Sequence, residues 1–382
     1  MATNKDYNLE KAIARTEQRL INQLIKRLQD ESTMEKVRKG QIELWQIEQL
    51  NALDKFMQEN RQYITNERAA ELDKIIQTEI EESYQQGIED TKVQISNAIK
   101  KGYEPTVEPT NAFTGTFAGV NDRAINALMH EVRNNMIAVE YAALRYAEDN
   151  YRRIIFDAQV YYQTGSSNLA QAIDMATKDF LKNGINCVEY KNGARVNIQS
   201  YSEMALRTAS KRAYMQGEAT MRDEFNIPLV IVTRRGDACP RCMEYVGKVF
   251  VDDVYGNGKP DGKHPLLSTA IAGGLYHPNC RDVHTTYFDG ITTERPLPTE
   301  EEKQEANRVY QLEQHQRYLE RNVRKYDRLY KGAVDPTNKE QYKRLHDQWQ
   351  TKTRNFVNQH EELRRKHYRE RAVTLDNAKK SN

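Results

Sequence analysis

The sequence lacks long apolar runs. Hydrophobic residues make up only 38% of the 382 residues, and the mean hydropathy is −0.87. No run approaches the roughly 18–20 apolar residues of a transmembrane helix, which excludes an integral helical membrane protein. The first residues, MATNKDYNLEKAIARTEQ, also lack the apolar centre of a secretory signal peptide. We therefore expect synthesis in a cytoplasm, where cysteines are thiols or metal ligands rather than disulfides.

An excess of one charge sign is absent as well. The chain has 57 Lys and Arg against 55 Asp and Glu, a net charge of +2. This balance predicts no general affinity for polyanions. The distribution is uneven, since from residue 301 onward about 20 basic residues face about 13 acidic ones. Any nucleic-acid contact is therefore expected in that final part.

Apolar residues at helical spacing dominate the first hundred residues. One stripe consists of Leu9, Ile13, Leu20, Leu24 and Leu28. A second helix is predicted over about 33–60, with Leu44, Ile47, Leu50, Leu53 and Met57 on its buried side. A third is predicted over 66–101. Residues 1–101 are thus interpreted as a helical region, and the Pro- and Thr-rich residues 102–120 as a linker or arm.

The next part, 121–226, is predicted to contain one very long helix over 121–163. Gly165 ends it, and Ser166 and Ser167 begin a shorter helix. The spacing of apolar residues then changes from that of a helix, and residues 185–198 are predicted to form a β-hairpin that turns at Asn192-Gly193. Cys187, in its first strand, is interpreted as a small buried apolar residue. Helix returns over 200–225.

The segment 227–295 is predicted to be a small α+β module. It contains strand patterns over 227–233, 248–254 and 283–288. After it, 296–382 is predicted to be a basic helical hairpin, with helices to about residue 331 and over 339–373. The predicted fold class is mostly α with a small central α+β module, in which long helices and helical hairpins flank a Cys/His-rich, β-containing knot.

Three of the four cysteines fall within this module. Cys239 and Cys242 form one short pair, and His277 and Cys280 form another. Zinc in structural sites takes four such ligands, delivered as two short pairs on tight turns. We therefore predict one structural zinc ion held by these four residues, with His264 and His284 as imidazoles that could substitute.

Three alternatives stay open for the same residues. The cysteines could pack without metal, or Cys239 and Cys242 could be a redox pair, although no βαβ context surrounds them. Cys280 with His284 could form a nucleophile and base. The HExxH pattern does not occur, so catalytic zinc is not indicated. We expect no enzyme.

Basic residues cluster on adjacent turns of the C-terminal helices. Arg321, Arg324, Lys325 and Arg328 form one cluster, and a second comprises Arg364, Arg365, Lys366, Arg369 and Arg371. Such stripes neutralise phosphates without reading sequence. The first cluster is the candidate nucleic-acid-binding site, although charged helix faces are more often simply solvated.

Several blocks of the sequence resemble the minor capsid protein 2 family of tailed bacteriophages, which is related to the Mu F-like head morphogenesis proteins. The most specific block is GLYHPNCRDV, in which His277 to Arg281 look like the HPNCR signature of that family. The other blocks are ARTEQRLINQLIKRL, TGSSNLAQAIDMA, GINCVEYKNGARVNI, MALRTASKRAYMQGEA, RRGDACPRCMEYVGKVF and QHQRYLERNVRKYDRL. Together they span most of the chain.

The resemblance implies a structural head protein without catalysis. It implies a location in the virion, on the capsid interior near the portal vertex, and a role in head assembly. The implied partners are the portal protein and the major capsid protein, with several copies placed around the portal and with the 1–101 region as the candidate contact. The alternative function is a DNA-binding internal virion protein that travels with, or is ejected with, the genome.

Overall fold

The computed structural model describes residues 4–106, 122–165, 167–190, 192–233, 239–277, 280, 282–293, 296–370 and 372. The chain begins with α1 (Asn4–Leu28), α2 (Glu31–Arg38) and α3 (Ile42–Gln62). A π-helical turn (Tyr63–Arg68) then leads directly into α4 (Ala69–Lys100). The helical interpretation of this region is confirmed, and Leu20, Leu24 and Leu28 are buried as predicted.

Two details of the second predicted helix are wrong. The chain breaks between α2 and α3 at Gly40, whose φ of +65° lies in the left-handed region that glycine adopts without strain. The predicted buried face is also wrong at three of its five residues, because Leu44, Ile47 and Leu50 are 51%, 58% and 47% exposed, whereas Leu53 and Met57 are buried as predicted. Trp45 on α3 is fully buried in their place.

The long helix is confirmed as α5 (Asp122–Gln163), and Gly165 follows it with a φ of +71°. The next helix, α6 (Leu169–Asn183), is capped by Asn168 rather than by the predicted serines. Asn168 Oδ1 accepts a hydrogen bond from the Gln171 amide at 2.9 Å, and the Gln171 side chain accepts one in return from the Asn168 amide. The hairpin is confirmed as β1 (Val188–Glu189) and β2 (Arg195–Val196), with antiparallel pairing. The linker interpretation falls largely outside the described residues.

The predicted α+β centre contains a three-stranded antiparallel sheet. Helix α7 (Ile198–Glu224) precedes β3 (Leu229–Val232), which is central in the order β4-β3-β5. The remaining elements are α8 (Pro240–Met243), β4 (Val249–Val251), α9 (Leu267–Ala272) and β5 (His284–Thr286). Val230 pairs with Phe250 on one side and with Thr286 on the other. All three strands match predicted strands but are shorter.

The last long helices are α10 (Glu300–Gly332) and α11 (Pro336–Asn358). The capping interaction of Thr299 with Glu302 is present, with both reciprocal hydrogen bonds. The prediction that the final helix continues to residue 373 is wrong. After α11 the chain turns back, so that the Arg364 carbonyl accepts a hydrogen bond from Gln316 of α10 at 2.9 Å.

The chain folds into two compact units, and each unit is built from segments that are not continuous in sequence. Unit 1 comprises Met1–Glu71, Asn135–Glu203 and Glu313–Asn382, and unit 2 comprises Leu72–Asn134 and Met204–Leu312. The core of unit 1 includes Leu24, Trp45, Phe56, Tyr151 and Phe180. The three-stranded sheet and the residues Cys239, Cys242, His277 and Cys280 belong to unit 2. The five sequence segments are a division along the chain, and they stay a prediction.

The predicted fold class is confirmed. Helices account for most of the described residues, and the β-structure consists of the small hairpin and the three-stranded sheet. Across the described part of the chain, no helix combines the length and apolar character needed to cross a bilayer.

Candidate metal centre

The first cysteine pair sits at the start of the short helix α8. Cys239 occupies the N-cap position with an extended backbone, and Pro240 follows at the first helical position, where its missing N–H is not needed. The amides of Cys242 and Met243 both donate to the Cys239 carbonyl at 3.0 Å. This compact turn places both thiols on the same side of the chain.

The second pair lies between α9 and β5. Gly274 has a φ of +113°, and Tyr276, a non-glycine residue, has a φ of +57°. A left-handed tyrosine is uncommon and strained, so its persistence requires support from its surroundings. The Cys280 amide then donates to the His277 carbonyl at 2.9 Å, which closes a tight turn between the two potential ligands.

The structure brings the two pairs together. Cys239 Sγ lies 2.9 Å from His277 Nε2, and Cys242 Sγ lies 3.3 Å from Cys280 Sγ. The ligand atoms of Cys239, Cys242 and His277 are all within 4.8 Å of one another, as are those of Cys242, Cys280 and Asp282. The two groups share Cys242, and each could hold a metal ion: Cys239, Cys242 and His277 form the first, whereas Cys280 belongs to the second together with Asp282.

The chemistry of the donors fits a zinc-type metal. Three thiols and an imidazole are soft or borderline donors, and the edges of a tetrahedron with zinc–sulfur bonds of about 2.3 Å measure about 3.8 Å. The present contacts are somewhat shorter, so the side chains would move apart slightly around an ion. Cys242 and Cys280 are 0% and 6% exposed and belong to a core cluster with Val230 and Phe250.

Two residues that the sequence analysis did not identify complete the surroundings of Cys280. The Asp282 amide donates to Cys280 Sγ at 3.4 Å, and Asp282 Oδ2 lies 3.6 Å from the same sulfur. Lys211 Nζ of α7 donates to the carbonyls of Cys280 and Asp282, both at 3.3 Å. Asp282 follows the ligand by two positions and could have been considered, whereas no local pattern links Lys211 to this turn.

These contacts shift the pKa values of the two buried thiols in opposite directions. The hydrogen bond from Cys242, together with the Lys211 ammonium and the Asp282 amide, lowers the pKa of Cys280 to about 7. The same hydrogen bond and burial raise the pKa of Cys242. Cys280 is therefore the first of the pair to become a thiolate, the form that binds metal.

The two spare histidines are engaged outside this cluster. His264 Nδ1 lies 2.6 Å from Asp261 Oδ2. His284 Nδ1 lies 2.9 Å from the Tyr276 hydroxyl, and burial lowers the pKa of His284 to about 3. Cys187 lies in unit 1, where burial raises the pKa of its thiol to about 11. Among the described residues, the two metal-capable groups contain none of these three.

Glu218 and Arg222 of α7 form a buried polar row with Asp252 and His284 in unit 2. Glu218 Oε2 is 3.8 Å from His284 Nε2, and Arg222 forms an ion pair with Asp252. Glu218, Arg222, Asp252 and His284 are all buried. This row connects α7 to the strand that follows the second ligand pair.

The basic cluster proposed for nucleic acid lies on α10. Arg321 is exposed, whereas Arg324 donates to the Arg369 carbonyl and Arg328 donates to the carbonyls of Leu181 and Lys182. Lys325 is half-buried, with its ammonium 4.8 Å from the Tyr326 ring centre. Two of the four predicted phosphate-binding residues thus already bind backbone carbonyls.

Comparison with known proteins agrees with the resemblance seen in the sequence. A family described as "Phage minor capsid protein 2" matches residues 10–358. A relative described as "Structural protein", from Lactococcus phage LL-H, is 23% identical over 283 residues, which cover 72% of this chain and 75% of the relative. No solved structure matches. Because the family match covers most of the sequence, this chain belongs to the phage minor capsid protein 2 family.

Proposed function

We propose that this minor capsid protein acts in head assembly on the capsid interior, in association with the portal, and that it is not an enzyme. The family match over residues 10–358 is the observation that carries the proposal. The relative from Lactococcus phage LL-H, described as a structural protein, supports a place in the virion. Long helices suit this role because they offer extended surfaces to a ring-shaped partner.

The proposal includes one structural zinc ion bound by Cys239, Cys242, His277 and Cys280. A structural zinc site uses four protein ligands, whereas a catalytic one keeps a position open for water. Two groups of potential ligands share Cys242 here, and Cys242 and Cys280 lie in a core cluster. The ion would join the turn before β4 to the turn before β5, which supports a structural rather than a catalytic site.

Copurification tests the assembly role. The tagged protein should be expressed with the portal protein of its own phage, and complexes should be isolated by size exclusion and weighed by native mass spectrometry. We expect a ring with a defined ratio of the two chains. Elution of the two proteins apart, at concentrations where the portal ring is intact, would overturn the portal association.

Metal analysis tests the zinc site separately. Protein purified without chelators should contain one zinc per chain, and Cys239→Ser or Cys280→Ser should lose it. Cys187→Ser is the matched control, because its thiol lies in unit 1 and should not affect the content. Absence of stoichiometric zinc in the wild-type protein, even after reconstitution under reducing conditions, would eliminate this site.

The DNA-binding alternative is less favoured by the contacts of the basic cluster. Arg324 and Arg328 bind internal carbonyls, which leaves Arg321 as the exposed member. The alternative predicts a salt-dependent shift of duplex DNA that charge reversal of Arg321 weakens. Absence of a shift at low salt would remove it.

A further inference from the structure

We propose that Lys211 is a positioning residue for the metal centre: it fixes the turn that carries His277 and Cys280 and offsets the negative charge of the bound thiolates. This inference rests on the proposed zinc site. It assigns a role in metal binding to a residue that is not a ligand and that lies on a different element, α7.

The contacts of Lys211 bracket the second ligand pair. Its ammonium lies 4.5 Å from the ring centre of Tyr276, the residue immediately before His277. It also donates to the carbonyls of Cys280 and Asp282, each at 3.3 Å. One side chain therefore contacts the chain on both sides of the turn, including the tyrosine with the left-handed backbone. These contacts hold in place a conformation that is strained by itself.

Charge gives Lys211 a second role. A zinc ion with three thiolates and a neutral imidazole retains one net negative charge, and the Asp282 carboxylate lies beside it. Negative charge in a buried site is costly unless a cation is close. Asp282 Oδ1 is buried and has no hydrogen-bond partner among the described residues. The Lys211 ammonium supplies positive charge at this location.

Helix α7 is suited to hold the ammonium in place. Gly217 packs directly against the backbone of α4 at Tyr84, and Tyr214 donates to Asp90 of α4 at 2.9 Å. Both contacts lie within two helical turns of Lys211. The position of its side chain is therefore set by a rigid helix crossing rather than by the turn that it supports.

Cobalt titration of the full-length reduced protein tests the proposal. Co²⁺ bound to thiolates gives charge-transfer and d–d absorption bands, and Zn²⁺ competition then gives the zinc affinity. We expect Lys211→Met to weaken the affinity for both metals by about 10–100-fold, which is the usual effect of losing a residue that orients the metal ligands. Lys211→Arg, which keeps the charge and the donors, should restore most of the affinity.

Two controls separate positioning from general destabilisation. Arg212→Met removes one positive charge from the exposed neighbour on α7 and should leave the affinity unchanged. Met221→Ala removes a buried side chain of the same helix, so it should lower the melting temperature without changing the cobalt spectrum. If Met221→Ala weakens metal binding as much as Lys211→Met, the effect is general and the proposal is wrong.

The remaining outcomes are also decisive. Wild-type affinity and spectrum in Lys211→Met would overturn the role of Lys211 while leaving the zinc site intact. Failure of the wild-type protein to bind either metal would overturn the zinc site and, with it, this inference. If Lys211→Met does not fold, Lys211→Gln, which keeps a donor without charge, is measured under the same criterion.

Discussion

Arg328 belongs to a basic cluster in the sequence, but its guanidinium caps the end of a helix. Its Nε donates to the Leu181 carbonyl at 2.8 Å and its Nη2 donates to the Lys182 carbonyl at 3.1 Å. Both carbonyls lie in the last turn of α6, where backbone acceptors have no intrahelical partner and a positive charge is favoured. Arg328, which the sequence suggests as a phosphate-binding residue, thus stabilises the end of α6.

Replacing Arg328 with Met should destabilise unit 1 by about 1–3 kcal/mol, because the two carbonyls would lose their donor. Thermal unfolding followed by circular dichroism measures the effect as a lower Tm. Arg321→Met, at the exposed end of the same cluster, should change the Tm little. Equal effects of the two substitutions would show that Arg328 does not act as a cap.

Glu218 is a buried acid whose protonation should change the free energy of unfolding with pH. Burial is the main cause that raises its pKa from the usual 4.5 to about 8. The folded state therefore retains a proton that the unfolded state has lost between those pH values. The free energy of unfolding should fall as pH rises through this window, by up to about 1.4 kcal/mol per pH unit for this one group.

Glu218→Gln should remove that contribution. Compared with the wild type, the variant should become progressively more stable from pH 5 to about pH 8, with a constant difference above that, as measured by urea unfolding at each pH. Using the difference between the two proteins cancels the titration of other groups. A constant difference across the range would contradict the raised pKa.

At the scale of elements, two glycines set the crossing of α4 and α7. A Cβ at Gly87 would overlap the Tyr214 carbonyl, and a Cβ at Gly217 would overlap the Tyr84 carbonyl. In an open helix, Gly→Ala stabilises by about 1 kcal/mol. At this crossing the sign should reverse, since overpacking costs about 1–3 kcal/mol.

We therefore expect Gly87→Ala and Gly217→Ala each to lower the Tm of unit 2. Differential scanning calorimetry measures this directly. Gln85→Ala, exposed on the same helix, is the control and should be neutral or slightly stabilising. A Tm increase in either glycine variant would mean that the helices are not in backbone contact.

Helix α3 shows where periodicity alone fails. The apolar spacing predicts that Leu44, Ile47 and Leu50 are buried together with Leu53 and Met57, but the first three are exposed. The buried row contains Trp45 and Phe56 and also a polar residue, Gln49, whose side chain accepts from Tyr151 and donates to Thr33. A buried polar side chain is stable once it is hydrogen-bonded, but its partners lie on other helices. Local sequence does not reveal them.

The exposed row provides a stability test. Ile47→Lys should change the free energy of unfolding by no more than about 0.5 kcal/mol, as for other surface positions. Leu53→Ala, at a buried position of the same helix, should cost about 2–5 kcal/mol. Urea unfolding of both variants compares them, and a large loss in Ile47→Lys would mean that this face is covered.

At the metal centre, too, some residues can be identified from local sequence patterns and others only from tertiary contacts. Each ligand pair is a local pattern that a single sequence can show, and the four-ligand zinc site built from the two pairs stays a prediction. Lys211 and the polar row of Glu218 and Arg222 come from α7, and their relation to the pairs depends on how that helix packs against the sheet. Tertiary contacts of this kind have no signal in a single sequence.

For the whole molecule, the two compact units are not continuous in sequence. Unit 1 combines residues from the beginning, middle and end of the chain. Helices α4, α5, α7 and α10 each contain residues of both units, so no loop or change of composition marks the division. Local sequence therefore carries no signal for this division.

All four proposed zinc ligands belong to unit 2, so metal removal should act on one unit only. After treatment with a zinc chelator under reducing conditions, hydrogen–deuterium exchange should increase in peptides covering α8, β4, α9 and β5. Peptides from α1 and α3 in unit 1 should exchange as before, because no ligand lies there. Bound metal stabilises the folded state of the unit that holds its ligands, so its loss should reduce protection from hydrogen exchange in that unit.

Cys239→Ser without chelator should give the same pattern of exchange, and Cys187→Ser should not. Increased exchange confined to α1 and α3, or no change in unit 2, would show that the centre does not stabilise its unit through metal.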